Sequence, residues 1–518
     1  MKVGMYNRWL ITLGGGEKYS LTIAQYLSEK HDVHVITHIP ISIEEISSRL
    51  NLDLSKISID IIPSCSATDL TPLTGEYDLF LNASYMDSIP SLAPHSAAII
   101  YFPAFVGEGK NARLRYRIGW MLKNWFMIPT ISEGFVQFHA GTLNFHPVDV
   151  TSSVHIKLPP SGKPYLINFQ VASLNPFVKS ACLFVDRQEV ELVHFDAPGI
   201  YKSITLNIPA SQNRRRELSI EVVGLKTPIS TSSYMSISPV IVHSPRFEIF
   251  NTIFGNFLGK YGVRFQLLPL PVSTLHEATD SYDELWAISE YTKRWIKTYW
   301  KRDSAVLYPP VDVENFTPYP KKKQILSVGR FFAGGHNKKH LEMVKAFKGL
   351  VDRGLKDWEL HLVGGTTPGD IHKEYLADVI SEAANYPIYV HPDLAYPKLR
   401  ELYNESAIYW HAGGYGEDEN RDPVKFEHFG ITTVEGMAAG CVPVVIAKGG
   451  QPEIVRHGVN GFLWSTLDEL MQITWDLIAD SARRQAISSV AIKDSRKYSI
   501  KEFHKNLSGL LAEIGVKD

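Results

Sequence analysis

The sequence predicts an α/β protein with two doubly wound parallel sheets that face a cleft, and an all-β domain inserted into the first. The 518 residues, 44% of them hydrophobic, are enough for about two to four domains with buried cores. Short apolar strands alternate with helices at both ends of the chain, which is typical of parallel sheets covered by helices on both faces. Between these ends, the helical periodicity disappears.

The N-terminal residues predict a βαβ unit. KVGMYN indicates a strand, LGGG a turn, EKYSLTIAQYLSE a helix and HDVHVITH a second strand. The short apolar runs YDLFLNA and AAIIYF follow, as in a buried parallel sheet. We expect residues 1–134 and 244–304 to form a discontinuous N-terminal domain.

Residues 135–243 are predicted to form a sandwich-like β domain. Segments such as YLINFQVAS, VELVHF and SITLNIP have strand patterns and are separated by Pro, Gly and Asn turns. Carbohydrate binding, partner binding and bracing of the cleft are all open as its role, because sandwiches host many functions.

Residues 305–485 are predicted to form the second doubly wound domain. Strands and helices alternate strictly there, from KQILSVG and KHLEMVKAFKGLVDRG to PEIVRHG and GFLW. The last segment, 486–518, is predicted to be helical and to cross back to the N-terminal domain.

Composition excludes several classes of protein. Fifty-three basic and 55 acidic residues give a net charge of −2, so no overall field recruits nucleic acid. The three cysteines lack CxxC spacing, which argues against a disulfide framework or a zinc site and favours a reducing, cytoplasmic setting. No apolar run reaches the roughly 20 residues of a membrane span, so we expect a soluble or peripheral protein.

The turns that follow strands are the expected ligand site, because parallel sheets bind ligands beyond the carboxyl ends of their strands. Gly15 lies in the first such turn, where either an ordinary glycine turn or an anion site is consistent with the residues. Gly329 and Arg330 follow a second strand, and Lys338 and Lys339 are predicted to open the next helix. Cations at a helix N-terminus oppose the helix dipole unless they face an anion, so this turn predicts a phosphate site.

The stretch EHFGITTVEG places Glu427 and Glu435 around Gly430. Thr432 and Glu435 match a capping box, which is the structural alternative for Glu435. That alternative does not explain Glu427 or the long polar loop before it. A bound polyol explains both acids, since carboxylates accept hydrogen bonds from hydroxyl pairs. The acidic run Glu417-Asp418-Glu419 is interpreted as a solvated loop and not as a metal site.

EHFGITTVEGMAAGCVPVV resembles the Glu-x7-Glu signature of family-4 retaining glycosyltransferases, which have the GT-B fold of two facing Rossmann-like domains. GGGEKYSLTIAQYL, VGRFFAGGHNKKHLEMVKAF and GGQPEIVRHGVNGFLW resemble further motifs of that family, as does the segment LWAISEYTKRWIKTYWKRDSAVLYPPVD. Together these stretches cover most of the chain outside the β insertion.

The resemblance implies a role for each matching residue. Glu427 would contact the donor sugar and Glu435 the donor ribose, while Arg330 and Lys338 would hold the diphosphate. The remaining donor-binding positions are backbone sites: Gly15 in the N-terminal domain, and Gly329, Phe429, Gly430 and Ile431 in the C-terminal domain. No metal and no cofactor is implied, since the nucleotide-sugar is a co-substrate.

The implied activity is retaining transfer of a sugar from a nucleotide diphosphate donor, UDP- or GDP-linked, to a glycan or lipid-linked glycan in polysaccharide or glycoconjugate synthesis. A nucleotide-sugar epimerase, a phosphorylase or a non-catalytic scaffold built around the β domain are the alternatives. Many relatives place a histidine after the strand AAIIY, where this chain has Phe102, so no base is assigned in the N-terminal domain.

The segment 112–128 mixes arginines and a lysine with tryptophans and a phenylalanine. This composition is typical of a helix lying in a membrane interface, and equally of a core or interdomain helix. The interfacial alternative predicts peripheral contact with an anionic membrane, on its cytoplasmic face.

Overall fold

The structure is a computed structural model of the chain. It describes residues 1–62, 67–104, 125, 127, 130–133, 136–137, 148–150, 153–159, 161–173, 179–186, 188–197, 200–210, 216–223, 235–237, 240–248, 278–367 and 369–516. The segment 112–128 lies outside these residues except for Trp125 and Met127. In the described part of the chain, no helix combines the length and the apolar content that crossing a membrane requires.

The described strands follow one another in chain order. They are β1 Lys2–Tyr6, β2 Asp32–Thr37, β3 Ile57–Ile61, β4 Leu79–Asn82, β5 His95–Ile100, β6 Thr130–Glu133, β7 Val136–Gln137, β8 Val148–Val150, β9 Ser153–Leu158, β10 Tyr165–Ser173, β11 Ser180–Val185, β12 Gln188–His194, β13 Lys202–Ile208, β14 Arg216–Val223, β15 Met235–Ile237, β16 Ile241–His243, β17 Glu284–Ala287, β18 Ala305–Val306, β19 Lys322–Val328, β20 Glu359–Gly364, β21 Ile388–Pro392, β22 Ser406–His411, β23 Val442–Ile446 and β24 Phe462–Trp464.

The described α-helices surround these strands. They are α1 Gly15–Ser28, α2 Ile43–Leu50, α3 Ala67–Thr74, α4 Glu290–Trp300, α5 His340–Asp352, α6 Asp370–Ala383, α7 Tyr396–Glu405, α8 Ile431–Ala438, α9 Gln451–Ile454, α10 Leu467–Ala479, α11 Ser481–Ser495 and α12 Ile500–Glu513.

The N-terminal sheet is parallel throughout, with the order β18-β17-β5-β4-β1-β2-β3. Its central strands are short apolar runs, and all four residues of β4 are buried. Helices cover both faces of such a sheet, so apolar side chains on either side of a strand are removed from water. The predicted βαβ unit is present as β1, α1 and β2.

The inserted region is antiparallel. One sheet has the order β13-β10-β15-β8-β7 with β16 also paired to β10, and the other has the order β12-β11-β14-β9-β6. Buried residues of both sheets, among them Ile167 and Phe169 on β10 and Leu183 on β11, share one core. The predicted boundary at residues 134 and 135 is wrong, because β6 pairs with β9 and therefore already belongs to this region.

The C-terminal sheet is also parallel, with the order β21-β20-β19-β22-β23-β24. Trp410 and Trp464 are fully buried in its core. Strands β19 and β22 precede the two loops that carry Arg330 and Glu427. These strands pair with each other, so the turns after them lie side by side.

The chain crosses between the two parallel domains at places slightly different from those predicted. Strand β18 pairs with β17 in the N-terminal sheet, so the predicted boundary at residue 305 falls two residues early. Helix α11 runs without interruption through residue 486, so the second predicted boundary cuts a helix. Helix α12 then contacts α1, where the Phe503 and Tyr19 ring centroids are 5.4 Å apart.

Candidate active site

The candidate site lies at the carboxyl ends of β19 and β22, where the long loop 412–430 leads from β22 into α8. Gly430 is the N-cap of α8 and has φ +124°. A Cβ at this position would lie 2.4 Å from Gln451 Nε2, so only glycine fits. Just before α8, the loop lies against the Gly449-Gly450 turn: the Gly450 N–H donates to the Glu427 carbonyl at 2.7 Å, and a Cβ on Gly450 would lie 2.5 Å from the His428 carbonyl oxygen.

Glu427 is the centre of the site. Its Oε2 accepts hydrogen bonds from Lys338 Nζ and from His411 Nε2, the latter at 3.0 Å. Gly329 makes this possible for Lys338, because a Cβ there would lie 2.5 Å from Lys338 Cγ. The structure thus brings together three predicted residues, Gly329, Lys338 and Glu427, from two separate strand ends.

The charge of Glu427 is stabilised by these partners. Burial disfavours the carboxylate, but the positive charge of Lys338 and the hydrogen bonds from His411 and Lys338 together hold the pKa of Glu427 well below its usual value. Burial lowers the pKa of His411, whose side chain is 3% exposed. We therefore assign a neutral imidazole that donates from Nε2 to a charged carboxylate.

Sequence analysis missed three histidines beside Glu427: His336, His411 and His428. The His336 and His428 ring centroids are 5.1 Å apart, and burial lowers the pKa of His336 to about 4 and that of His428 to about 3. His411 ends a strand at the cleft, so the rule that selected Gly329 and Arg330 could have selected it. His428 lies next to Glu427 in the sequence, but no spacing signal marks it.

Phe102 has a structural role in place of the histidine that the family resemblance leads one to expect. It is 3% exposed and stacks on His428, with ring centroids 4.4 Å apart. Because Phe102 belongs to the N-terminal domain and His428 to the C-terminal domain, this stack joins the two sides of the cleft.

Glu435 is not part of a capping box, and that structural alternative is wrong. Its Oε2 accepts a hydrogen bond from Tyr403 Oη at 2.9 Å, while Thr432 Oγ1 accepts one from Tyr409. The reason is that α8 begins at Ile431, so Glu435 lies in the second turn and points toward α7. Burial raises the pKa of Glu435 to about 7, which leaves it ready to gain or lose a proton near neutrality.

The glycine turn of the N-terminal domain faces this same helix end. A Cβ on Gly15 would lie 3.0 Å from Ile431 Cδ1, so Gly15 and Ile431 are in close approach across the cleft. Glu17 accepts a hydrogen bond from the Gly14 N–H at 2.8 Å, which fixes the turn. Burial raises the pKa of Glu17 and the charge of Arg330 partly offsets this, so Arg330 also acts on the turn.

The two lysines do not open α5 as predicted. The helix begins at His340, and Lys339 precedes it with φ +60°, a left-handed conformation that ends the loop. This conformation directs the two side chains to different partners: Lys338 reaches Glu427, whereas Lys339 Nζ contacts Glu417 at 2.8 Å. Arg330 is exposed and lies near the Phe332 ring.

Two acids of the run 417–419 form ion pairs that the interpretation as a solvated loop did not include, whereas Asp418 is exposed as that interpretation expects. Glu417 contacts Lys339 and Lys425, both within 2.9 Å, and Glu419 contacts Arg294 of α4 at 3.3 Å. Among the described residues, no group of three or more His, Cys, Asp or Glu side chains is arranged to hold a metal ion.

The class of protein follows from two parallel α/β domains that meet at a cleft, which is the GT-B fold. A crystal structure of Anabaena Alr3699/HepE in complex with UDP matches with a TM-score of 0.54 at 11% identity, over 99% of this chain and 100% of that one. A glycosyltransferase structure from Rickettsia africae ESF-5 matches with a TM-score of 0.51 at 13% identity, over 99% and 98%. These likenesses confirm the predicted fold, and the inserted antiparallel region is present as well.

The sequence match is to a family described as glycosyl transferases group 1, over residues 312–493. The resemblance to glycosyltransferases is therefore confirmed in that part of the chain. The GDP-Man:Man(3)GlcNAc(2)-PP-Dol alpha-1,2-mannosyltransferase of Dictyostelium discoideum is 25% identical over 53% of this chain and 54% of its own. The protein with the same name from Homo sapiens is 26% identical over 43% and 45%. The chain thus spans about half the length of these curated relatives.

Proposed function

We propose that this protein is a retaining glycosyltransferase that moves a sugar from a nucleotide diphosphate sugar to a hydroxyl of a glycan or lipid-linked glycan. The observation that carries the proposal is the contact of Glu427 with both Lys338 and His411 at the carboxyl ends of β19 and β22. The Gly15 turn lies across the cleft from this cluster. A donor between them would meet cations, a carboxylate and backbone N–H groups at once.

The chemistry requires stabilisation of a leaving diphosphate that gains negative charge as the sugar becomes oxocarbenium-like. Arg330, Lys338 and the N-terminus of α8 supply positive charge and N–H dipoles where that charge develops. Once the donor is bound, these groups are in place before the reaction, so the protein does not have to reorganise them in the transition state. We accordingly propose that no metal ion is needed.

The two acids would bind opposite ends of the donor. Glu427 is charged and its Oε1 has no hydrogen-bond partner among the residues that the structure describes, so Oε1 is available to a sugar hydroxyl. Glu435 lies in the second turn of α8, where its carboxylate would accept hydrogen bonds from the ribose hydroxyls. In this arrangement the segment from Glu427 to Glu435 spans the donor from sugar to nucleoside.

Retention would arise by attack on the face from which the diphosphate leaves. A phosphate oxygen of the leaving group then accepts the proton of the acceptor hydroxyl, so no protein base is required. This is consistent with Phe102, a residue without acid or base chemistry, at the expected position of the histidine.

The names of the mannosyltransferase relatives support a GDP-linked donor and a lipid-linked glycan acceptor, and the UDP in the Anabaena structure supports a UDP-linked one. We propose that the protein works on the cytoplasmic side of a membrane as a peripheral enzyme. Co-sedimentation with anionic liposomes at low salt tests this part, and absence of binding would contradict it.

The activity is tested by incubating the protein with UDP-, GDP- and ADP-sugars in the presence of EDTA. We expect one donor to be hydrolysed slowly or transferred to added glycan acceptors, with the α or β configuration of the donor retained in an NMR assay of the product. Inversion would contradict the retaining mechanism, and activity only with added divalent metal would contradict the metal-independent one. Absence of turnover together with absence of binding for every donor would favour the scaffold alternative.

A further inference from the structure

His411 is held in one orientation by its surroundings. It is the last residue of β22, its side chain is 3% exposed, and a Cβ on Gly413 would already lie 3.0 Å from its Cε1. Among the residues that the structure describes, none offers a hydrogen-bond partner to the buried Nδ1. The ring therefore has one polar contact in the described part of the chain, the 3.0 Å hydrogen bond from Nε2 to Glu427 Oε2.

The second donor to Glu427 has a competing partner. Lys338 Nζ contacts the same oxygen, Oε2. In the proposed function Lys338 also serves the donor diphosphate, whose negative charge exceeds that of one carboxylate. A lysine ammonium is a flexible point charge on a four-carbon stem and can follow the stronger anion. The rigid imidazole of His411 cannot follow it.

We propose that His411 is the positioning residue of the donor site, which holds the Glu427 carboxylate in place for the sugar when Lys338 turns to the diphosphate. This inference rests on the proposed function. His411 does not itself contact the donor. It acts by keeping Oε1 of Glu427 directed into the cleft, and a 1 Å misplacement of such a group can cost about 10²-fold in rate.

The test compares His411→Gln with His411→Asn. A glutamine amide can occupy the place of Nε2 and donate to Glu427, whereas the asparagine amide is too short and mimics only Nδ1. We expect His411→Asn to lower kcat by roughly 10- to 100-fold and His411→Gln to stay within about fivefold of wild type. The affinity for the free nucleoside diphosphate, which lacks the sugar, should change less than about twofold in both variants.

The decisive control is the Glu427→Gln background. Because His411 acts through Glu427, adding His411→Asn to Glu427→Gln should lower kcat no further. A purely structural histidine would lower nucleotide affinity and thermal stability in both backgrounds, and that result would overturn the proposal. Equal activity of His411→Asn and wild type would overturn it as well.

Two further results distinguish failure of the role of His411 from failure of the proposed glycosyltransferase activity. If the wild-type protein neither binds nor turns over any nucleotide-sugar, both are wrong; if it is active but the His411 variants behave as wild type, only the role of His411 is wrong. Should His411→Asn fail to fold, ¹⁵N NMR of the wild-type imidazoles provides a second measurement. We expect His411 in the Nε2–H form at pH 7, and the Nδ1–H form would overturn the proposal.

Discussion

Glu427, on a loop, and Glu435, on the helix that follows it, are eight residues apart, yet their environments shift the two pKa values in opposite directions. Lys338 and His411 outweigh the cost of burial at Glu427, so its pKa lies well below the usual value. At Glu435 the hydrogen bond from the neutral Tyr403 hydroxyl and the charge of Lys18 do not offset burial, so its pKa rises to about 7. One acid is thus permanently charged at neutral pH, and the other exchanges its proton there.

Replacing Glu427 tests whether its charge, which Lys338 and His411 stabilise, is needed for catalysis. Glu427→Gln keeps the shape but removes the charge that pairs with Lys338, and we expect kcat to fall by about 10²–10³-fold. Binding of the free nucleoside diphosphate should change little, because that ligand has no sugar to contact residue 427. The matched control is Glu401→Gln, an exposed acid paired with Lys398, which should leave kcat unchanged. A Glu427→Gln enzyme with wild-type kcat would contradict the assignment.

Replacing Glu435 tests whether burial raises the pKa of this residue, through the pH dependence of the free energy of unfolding. The folded pKa of about 7 exceeds the ordinary value of 4.5, so the folded protein holds this proton more tightly than the unfolded chain. The protonation of Glu435 therefore adds to the free energy of unfolding at low pH. This contribution, about 3 kcal/mol, is complete below the pKa of the unfolded chain and is lost as pH rises through about 7. Glu435→Gln removes the cost of burying a charged carboxylate above pH 7, and its amide oxygen can still accept the hydrogen bond from Tyr403.

The measurement for Glu435 is urea unfolding at pH 5 and pH 8. Relative to wild type, Glu435→Gln should gain more unfolding free energy at pH 8 than at pH 5. An equal change at both pH values would show that Glu435 has no raised pKa in the folded protein.

The residues of the site could be selected from sequence only where a spacing pattern exists. Glu427, Glu435 and Arg330 belong to recurring spacings, and the structure places Arg330 after β19, Glu427 in the loop before α8 and Glu435 in α8. His411 has no such spacing; its position at the end of a strand makes it a candidate, but an ordinary core histidine can have the same position. Its contact with Glu427 depends on the path of the loop 412–430, which local periodicity does not encode.

At the level of elements, α4 is fixed to the C-terminal domain by a carboxylate. Glu453 accepts hydrogen bonds from the backbone N–H groups of Glu290 and Tyr291, at 2.8 and 2.5 Å, and so caps the first turn of α4. Tyr291 Oη donates to the Pro423 carbonyl at 2.9 Å on the same side. The helix dipole favours a negative charge at this position.

Glu453→Gln should therefore weaken the junction between α4 and the C-terminal domain. One of the two acceptor oxygens becomes an amide N–H group facing a backbone donor, which we expect to cost about 1–2 kcal/mol of unfolding free energy. Thermal and urea unfolding measure this, with Glu382→Gln on the exposed face of α6 as the control. No difference between the two variants would contradict a capping role.

The start of α8 depends on Gly430. Gly430→Ala would force a non-glycine residue into φ +124° and place its Cβ against Gln451, so we expect a loss of about 1–3 kcal/mol or more. Gly509→Ala in the middle of α12 is the matched control, because no atom lies within 4 Å of its Cβ and its φ is helical. That control should be neutral or stabilising by up to about 1 kcal/mol. Equal destabilisation by the two changes would contradict the requirement for glycine at 430.

The order of strands and helices was predictable because each is a short segment with its own period, 2 or 3.6 residues. The start of α5 was predicted two residues too early, since Lys338 and Lys339 have acceptable helix propensity. What ends the loop there is the left-handed conformation of Lys339, supported by the Asn337 side chain that accepts the Lys339 N–H. That support comes from tertiary structure and has no signature in the helical pattern.

At the scale of the whole molecule, the sequence predicted two parallel domains and an inserted β region, and the structure contains them. The crossing points differ by a few residues, because strand pairing and helix continuity, which involve distant residues, decide where one domain ends. The buried core that contains β1 and α1 also includes Phe429, Tyr403 and Phe503, so the two parallel domains share apolar contacts beside the cleft.

The central claim is that the cleft binds a nucleotide diphosphate sugar through Arg330 together with the Glu427 cluster. Isothermal titration of wild type and Arg330→Ala with UDP-, GDP- and ADP-sugars tests it most directly, with Arg353→Ala as the control, an exposed arginine paired with Asp468. We predict saturable binding of at least one donor class by wild type and Arg353→Ala, and an affinity at least about tenfold weaker in Arg330→Ala, since a charge-assisted phosphate contact contributes roughly 1.5–3 kcal/mol. Equal affinity of Arg330→Ala and wild type, or absence of binding for every donor, would contradict the claim.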